Sequence, residues 1–146
     1  MDRILGLDFR IMKTAHVQED LSMEMILLYI ADGKAHISVG GNRMNFGERG
    51  ILLIEPGFPY EINAAGQSEV TIAEARYSPE LFSQVAGSEN FLLCCNSETD
   101  RIHSYEDLRT IFYELIRYWI YRRKNTPCLR WVDLGILENN VFKDSL

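Results

Sequence analysis

The stretch that decides the fold is "GILLIEPGFPYEI", Gly50 to Ile62. Gly50 leads into the apolar run Ile51-Leu52-Leu53-Ile54; Pro56-Gly57 follows, then Pro59-Tyr60. An apolar run of that length, bounded by turn residues, reads as a buried strand. The prolines fix φ where the chain leaves the strand and forfeit no ladder hydrogen bond there. Tyr60 stands just beyond the turn, and its purpose is the open question.

Outward from this stretch the texture repeats. "MEMILLYIADG" (23–33) reads as a strand running into a turn at Asp32-Gly33. "KAHISVGGNRMNF" (34–46) reads as two short strands around Gly40-Gly41-Asn42, a hairpin signal. "GERGILLIEPG" (47–57) is a turn, a buried strand and a second turn, and "SEVTIAEARYSP" (68–79) alternates before stopping at Pro79. Strands of this length and spacing predict a sandwich or barrel.

After Pro79 the pattern changes. "PELFSQVAG" (79–87) predicts a short helix and "NFLLCCN" (90–96) one more strand. "SYEDLRTIFYELIRYWIYRRKN" (104–125) predicts a long helix, with Ser104 and Asp107 at capping-box spacing and Arg122, Arg123 and Lys124 in the last turn. Leu108, Ile111, Phe112, Leu115, Ile116, Trp119 and Ile120 recur at steps of three and four and form one apolar face. Pro127 ends this helix, and a second is expected over about 129 to 142.

Composition narrows the function. The 146 residues are 47% hydrophobic with a formal net charge of -6, which suits a globular domain with a core. The acidic balance argues against this segment gripping a phosphate backbone. The one basic cluster, "RYWIYRRK" (117–124), reads as a helix C-terminus and not as a groove reader. Cys94, Cys95 and Cys128 are odd in number and contain no C-x-x-C, so they encode neither a disulfide framework nor a zinc site. The N-terminus lacks an apolar signal core and no run has membrane-span length. A soluble, cytoplasmic protein with no membrane contact is expected.

The segment "MILLYIADGKAHISVGGNRMNFGERGILLIEPGFPYEI" (25–62) resembles the second motif of cupin barrels: glycine, apolar strand, Pro-Gly turn, then an aromatic or histidine. A barrel followed by a helical tail resembles the N-terminal sensing and dimerisation domain of AraC-family transcription regulators. The resemblance implies a mainly β fold with C-terminal helices: a cupin-like (jelly-roll) β-barrel over 1–100, then a two-helix tail over 101–146. It implies a small organic effector in the barrel lumen and a homodimer through the helices. DNA would be met only through a C-terminal domain that does not form part of this chain.

Metal-binding cupins carry two histidines one residue apart, a carboxylate a few residues on, and a third histidine after the Pro-Gly turn. The resemblance sets Asp20 and Ser22 at the paired histidines, Ile26 at the carboxylate and Tyr60 at the third histidine. Ile26 cannot coordinate, and His16, His36 and His103 are scattered, so neither a metal nor another cofactor is expected.

The candidate ligand-binding residues are Tyr60, Arg76, Glu74, Glu24 and Ser22. Tyr60 either offers its phenol to an effector or packs with its hydroxyl on backbone or water. If Val70 and Ile72 face inward, alternation sends Glu74 and Arg76 inward too, where Arg76 could hold a carboxylate or phosphate. The competing reading, to which the balance leans, is a register shift at the strand end that leaves both solvated. Glu24 shares the parity of Ser22 and Ile26, or lies at the exposed start of its strand. The apolar helix face is the candidate dimerisation surface, or simply covers the barrel; Tyr113, Tyr118 and Tyr121 widen it beyond one stripe. No catalytic residue is assigned, and the chain is expected to be no enzyme. The alternatives are a stand-alone cupin enzyme (isomerase, epimerase or dioxygenase), with Tyr60, Glu24 and His36 as its acid–base candidates, and a binding or storage module.

Overall fold

The computed structural model describes residues 2–4, 7–78, 96–100, 102 and 104–123. The strands are β1 (Asp2–Ile4), β2 (Leu7–Thr14), β3 (His16–Glu19), β4 (Met25–Asp32), β5 (Ala35–Val39), β6 (Asn42–Phe46), β7 (Ile51–Ile54), β8 (Tyr60–Ala64) and β9 (Val70–Tyr77), followed by the helix α1 (Glu106–Arg123). They form a five-stranded sheet in the order β1-β2-β9-β4-β7 and a four-stranded sheet in the order β3-β8-β5-β6, with antiparallel pairing throughout.

The turns are set by the residues that predicted them. Gly40 and Gly41 have φ of 56° and 89°, the left-handed pair that a two-residue hairpin needs, and Val39 pairs with Asn42 across it. Gly57 follows Pro56 with φ of 88°, and its N–H donates to the Ser22 carbonyl at 2.8 Å. The Pro-Gly turn is thereby tied to the loop between β3 and β4.

β4 is apolar on both faces because both faces are covered. Ile26, Leu28 and Ile30 point between the sheets, where they pack with Ile37, Leu52, Ile54, Ile62 and Ile72. Met25, Leu27, Tyr29 and Ala31 point the other way, onto α1. Phe112, Leu115, Ile116, Trp119 and Ile120 of α1 are buried there, and the Phe112 ring stacks on Tyr29 at 5.2 Å between centroids. The Ser104 hydroxyl accepts the Glu106 N–H at 3.3 Å at the helix start. Arg49, left-handed at φ 68°, donates its N–H to the Ile30 carbonyl and accepts Arg109 Nε on its own carbonyl. Its guanidinium reaches Glu106 at 3.2 Å, so the turn before β7 clasps the first turn of α1.

The mainly β, two-sheet architecture is present, and the segments expected to hold strands, 23–33, 34–46, 47–57 and 68–79, contain β4, the β5–β6 hairpin, β7 and β9. Among the described residues the tail supplies one helix, not two. The helices expected at 79–87 and 129–142 lie outside the described residues, as does the strand at 90–96 except Asn96, which bridges to Leu52. Of the seven residues on the apolar helix face, five are buried against the chain's own sheet, Leu108 packs at its margin and Ile111 is 52% exposed. No helix among the described residues is long and apolar enough to cross a membrane.

Candidate functional site

β9 keeps its alternation to the end. Its register with β4 runs unbroken from Met25 opposite Tyr77 to Ile30 opposite Ile72, with no shift at this end of the strand. Glu74 and Arg76 therefore follow Val70 and Ile72 into the space between the sheets. The reading that left both solvated is corrected: the Glu74 side chain is 0% exposed and that of Arg76 13%.

Both sheets contribute to one hydrogen-bonded cluster. Arg76 Nε donates to Glu74 Oε1, and Nη1 donates to Glu19 Oε1 at 2.8 Å. Arg76 Nη2 donates to Glu19 Oε2 and to the Tyr60 hydroxyl, the latter at 3.1 Å. The Tyr60 hydroxyl donates in turn to Glu19 Oε2 at 2.8 Å. Arg10 Nη2 donates to Glu74 Oε2 at 3.2 Å. Glu19 and Tyr60 are register partners on β3 and β8, while Arg10 and Glu74 are partners on β2 and β9. Glu19 closes β3, Tyr60 opens β8 and Arg76 is next to last on β9, so the cluster sits at one end of the barrel.

The charges fix each other. The Arg76 hydrogen bond holds the Glu19 carboxyl below its ordinary range, against burial, and Tyr60 adds to the effect. Burial first, then the nearby Glu74 charge and the Glu19 hydrogen bond, raise the Tyr60 phenol well above its ordinary value. Tyr60 is thus a neutral donor. Glu19, followed by Glu74, keeps Arg76 firmly protonated against burial.

Of the five expected ligand-binding residues the structure brings three together: Tyr60, Arg76 and Glu74. Ser22 and Glu24 sit on the neighbouring loop, where the Ser22 hydroxyl accepts the Glu24 N–H at 3.1 Å. Glu19 and Arg10 escaped the sequence reading. The available signal was parity: Glu19 follows Val17 and Arg10 precedes Met12, and both apolar residues pack into the inter-sheet core.

Metal chemistry does not fit these residues. Ile26 offers no donor and lies in the core, the Tyr60 hydroxyl is engaged by Glu19, and an arginine occupies the space between the carboxylates. Among the described residues no group of three or more His, Cys, Asp or Glu side chains could hold an ion. His36 pairs with the Asn45 side chain across the hairpin, on the strand position opposite in parity to buried Ile37.

A second surface lies on α1. Ile111, Tyr118 and Tyr121 are exposed on its outward side, beside a groove of about 640 Å³ that Thr110, Glu114, Leu115 and Arg117 also line.

No family profile matches the chain, and no curated protein does. Solved structures with a similar fold include the cupin domain of Schizosaccharomyces pombe Cnp3, at 15% identity, 62% of this chain, 69% of that chain and a TM-score of 0.49. A cupin protein from Bacteroides fragilis is similar at 20% identity over 52% of this chain and 69% of that one, with a TM-score of 0.48. Hydroxypropylphosphonic acid epoxidase from S. wedmorenis, in complex with fosfomycin, is similar at 12% identity over 49% of this chain and 43% of that one, with a TM-score of 0.46. These are likenesses of fold, and the chain spans less than half the length of the epoxidase. The expectation that the chain is no enzyme is corrected by this set. An iron(II) epoxidase stands among the similar folds beside the other cupin proteins, so the fold is compatible with an enzyme as well as with a non-enzyme.

Proposed function

We propose that this chain is the effector-sensing and dimerisation domain of an AraC-type DNA-binding regulator, taking a small organic ligand between its sheets at the Glu19–Tyr60–Arg76 end. The observation that carries the reading is the charged cluster itself. Buried ion pairs cost desolvation that apolar packing would avoid, so they are weak devices for stability. Perturbed ionisable groups that two sheets bring together suit ligand recognition. The neighbours of these residues supply a route outward. Glu74 and Arg76 alternate along β9 with Ala73, Ala75 and Tyr77, which pack under α1. A ligand that moves β9 would therefore move the seat of the helix. A second copy would meet the outward face of α1 through Ile111, Tyr118 and Tyr121. Glu114 and Arg117, of opposite charge and 3.9 Å apart, allow an antiparallel copy to set each against its opposite. DNA would be engaged by a further domain.

The test is a thermal-shift screen of small acids, sugars and amines against the wild-type chain and Tyr60→Phe. Light scattering would follow with any compound that binds. At least one compound is expected to raise the melting temperature of the wild type more than that of Tyr60→Phe and to change the oligomeric state. A screen in which every compound acts equally on both proteins would overturn the reading.

A further inference from the structure

The hydrogen bonds of Arg76 divide into two sets. Its Nε is held by Glu74, which is fully buried and also anchored by Arg10. Its Nη1 and Nη2 fork faces Glu19, whose side chain is 24% exposed. The inner pair is a fixed mount. The outer pair is a planar carboxylate in a bidentate fork, with a phenol donating to one oxygen, which is how a protein recognises a free carboxylic acid.

The carboxylate in that fork sits on a lightly supported strand. β3 is an edge strand of four residues paired only with β8, and His16 and Gln18, on its other face, are exposed. Releasing Glu19 breaks few backbone contacts. One planar fork takes one carboxylate; Arg10 lies beyond it across Glu74, and Asp8, the register partner of Arg76 on β2, lies on the same face. Among the described residues Arg10 Nε is buried with no hydrogen-bond partner, a donor beside the fork. Leu21 and Met23, exposed on the loop that follows Glu19, supply apolar surface at this end of the barrel.

We propose that Arg76 and Tyr60 form a receptor for a small organic monocarboxylate, and that Glu19 fills the carboxylate position until a ligand displaces it. Binding frees the end of β3 from Arg76 while Glu74 keeps the guanidinium aimed. This rests on the sensing function proposed above and names its ligand class. Because Glu19 competes from within the chain, the wild type binds such ligands weakly.

Titration calorimetry at constant ionic strength on the full chain tests it, with sodium hexanoate, hexanamide and inorganic phosphate as probes. Glu19→Ala should bind hexanoate at least about tenfold more tightly than wild type, since the internal competitor is gone. Hexanamide should gain nothing, and adding Arg76→Gln should abolish the gain. Glu19→Gln, which keeps the side-chain shape, should show a smaller gain and decides the matter if Glu19→Ala does not fold. Equal hexanoate affinity in wild type and variant, an equal gain for hexanamide, or tighter binding of phosphate overturns the proposal. A neutral compound that binds the wild type through Tyr60 while hexanoate fails would sink the carboxylate class and leave the sensing function standing. Failure of both kinds of ligand would sink both.

Discussion

Tyr60 and Glu19 face each other as register partners, and one oxygen of Glu19 is held at once by the Tyr60 phenol, at 2.8 Å, and by Arg76 Nη2. The contact joins β3 and β8 of one sheet to β9 of the other. It makes the phenol a positioning group for the carboxylate and not a packed aromatic alone. Tyr60→Phe keeps the ring and removes one donor to a charged acceptor, for a cost of about 1.5–3 kcal/mol. Urea denaturation should show a lower midpoint with an unchanged slope; an unchanged midpoint would mean that the contact contributes nothing.

Glu74 carries a larger stake, because it is wholly buried between two arginines. Glu74→Ala strands the Arg76 guanidinium and should cost about 3–5 kcal/mol. Glu74→Leu combined with Arg76→Met removes the charges together and should recover most of that loss. A double variant as unstable as the single one would show that the pair stabilises the fold outright.

The fold was legible at several glycine and proline turns that bound apolar runs, Gly40-Gly41, Pro56-Gly57, and Gly33, left-handed at φ 89°, at the end of β4, but β8, which opens just after Pro59, was not expected. β1, β2 and β3 have only Gly6 as punctuation, and their mixed charge hid them. The site was legible in part for the same reason. Tyr60 is marked by the turn before it and Glu74 by parity, but Glu19 sits four residues into an unmarked strand beside Gln18 and Asp20. Its parity with Val17 gives a direction only once 16–19 is known to be a strand paired with β8, and that pairing is a relation local sequence does not encode.

Gly57→Ala isolates the backbone at the turn that first marked the fold. A methyl group there would meet no atom within 4 Å, yet φ is 88°. The whole cost is conformational, about 1–2 kcal/mol. A far larger loss of stability would point to a contact that the free space around this position does not suggest.

Acid should release Glu19. Its folded carboxyl titrates below the ordinary 4.5, chiefly through the Arg76 hydrogen bond. The unfolded chain takes up this proton first as pH falls, so the stabilisation is fully present above 4.5 and is lost as pH falls through the depressed value. Glu19→Gln lacks the titration. The stability difference between wild type and Glu19→Gln should therefore be constant near neutrality and shrink in acid. Parallel pH profiles would place the charge of Glu19 outside the cluster's energetics.

The two sides of α1 should respond oppositely to substitution. Phe112 is 1% exposed and stacked on Tyr29, so Phe112→Ala opens a cavity under the helix and should cost about 3–5 kcal/mol. Ile111, its neighbour in sequence, is 52% exposed, and Ile111→Ser should change monomer stability by no more than about 0.5 kcal/mol. If a second copy covers the outward face, Ile111→Ser and Tyr118→Ser together should still lower the apparent molecular mass in light scattering, with far-ultraviolet circular dichroism unchanged. A double variant that associates as the wild type does would remove this face from the dimer and leave α1 with the single task of covering the sheet.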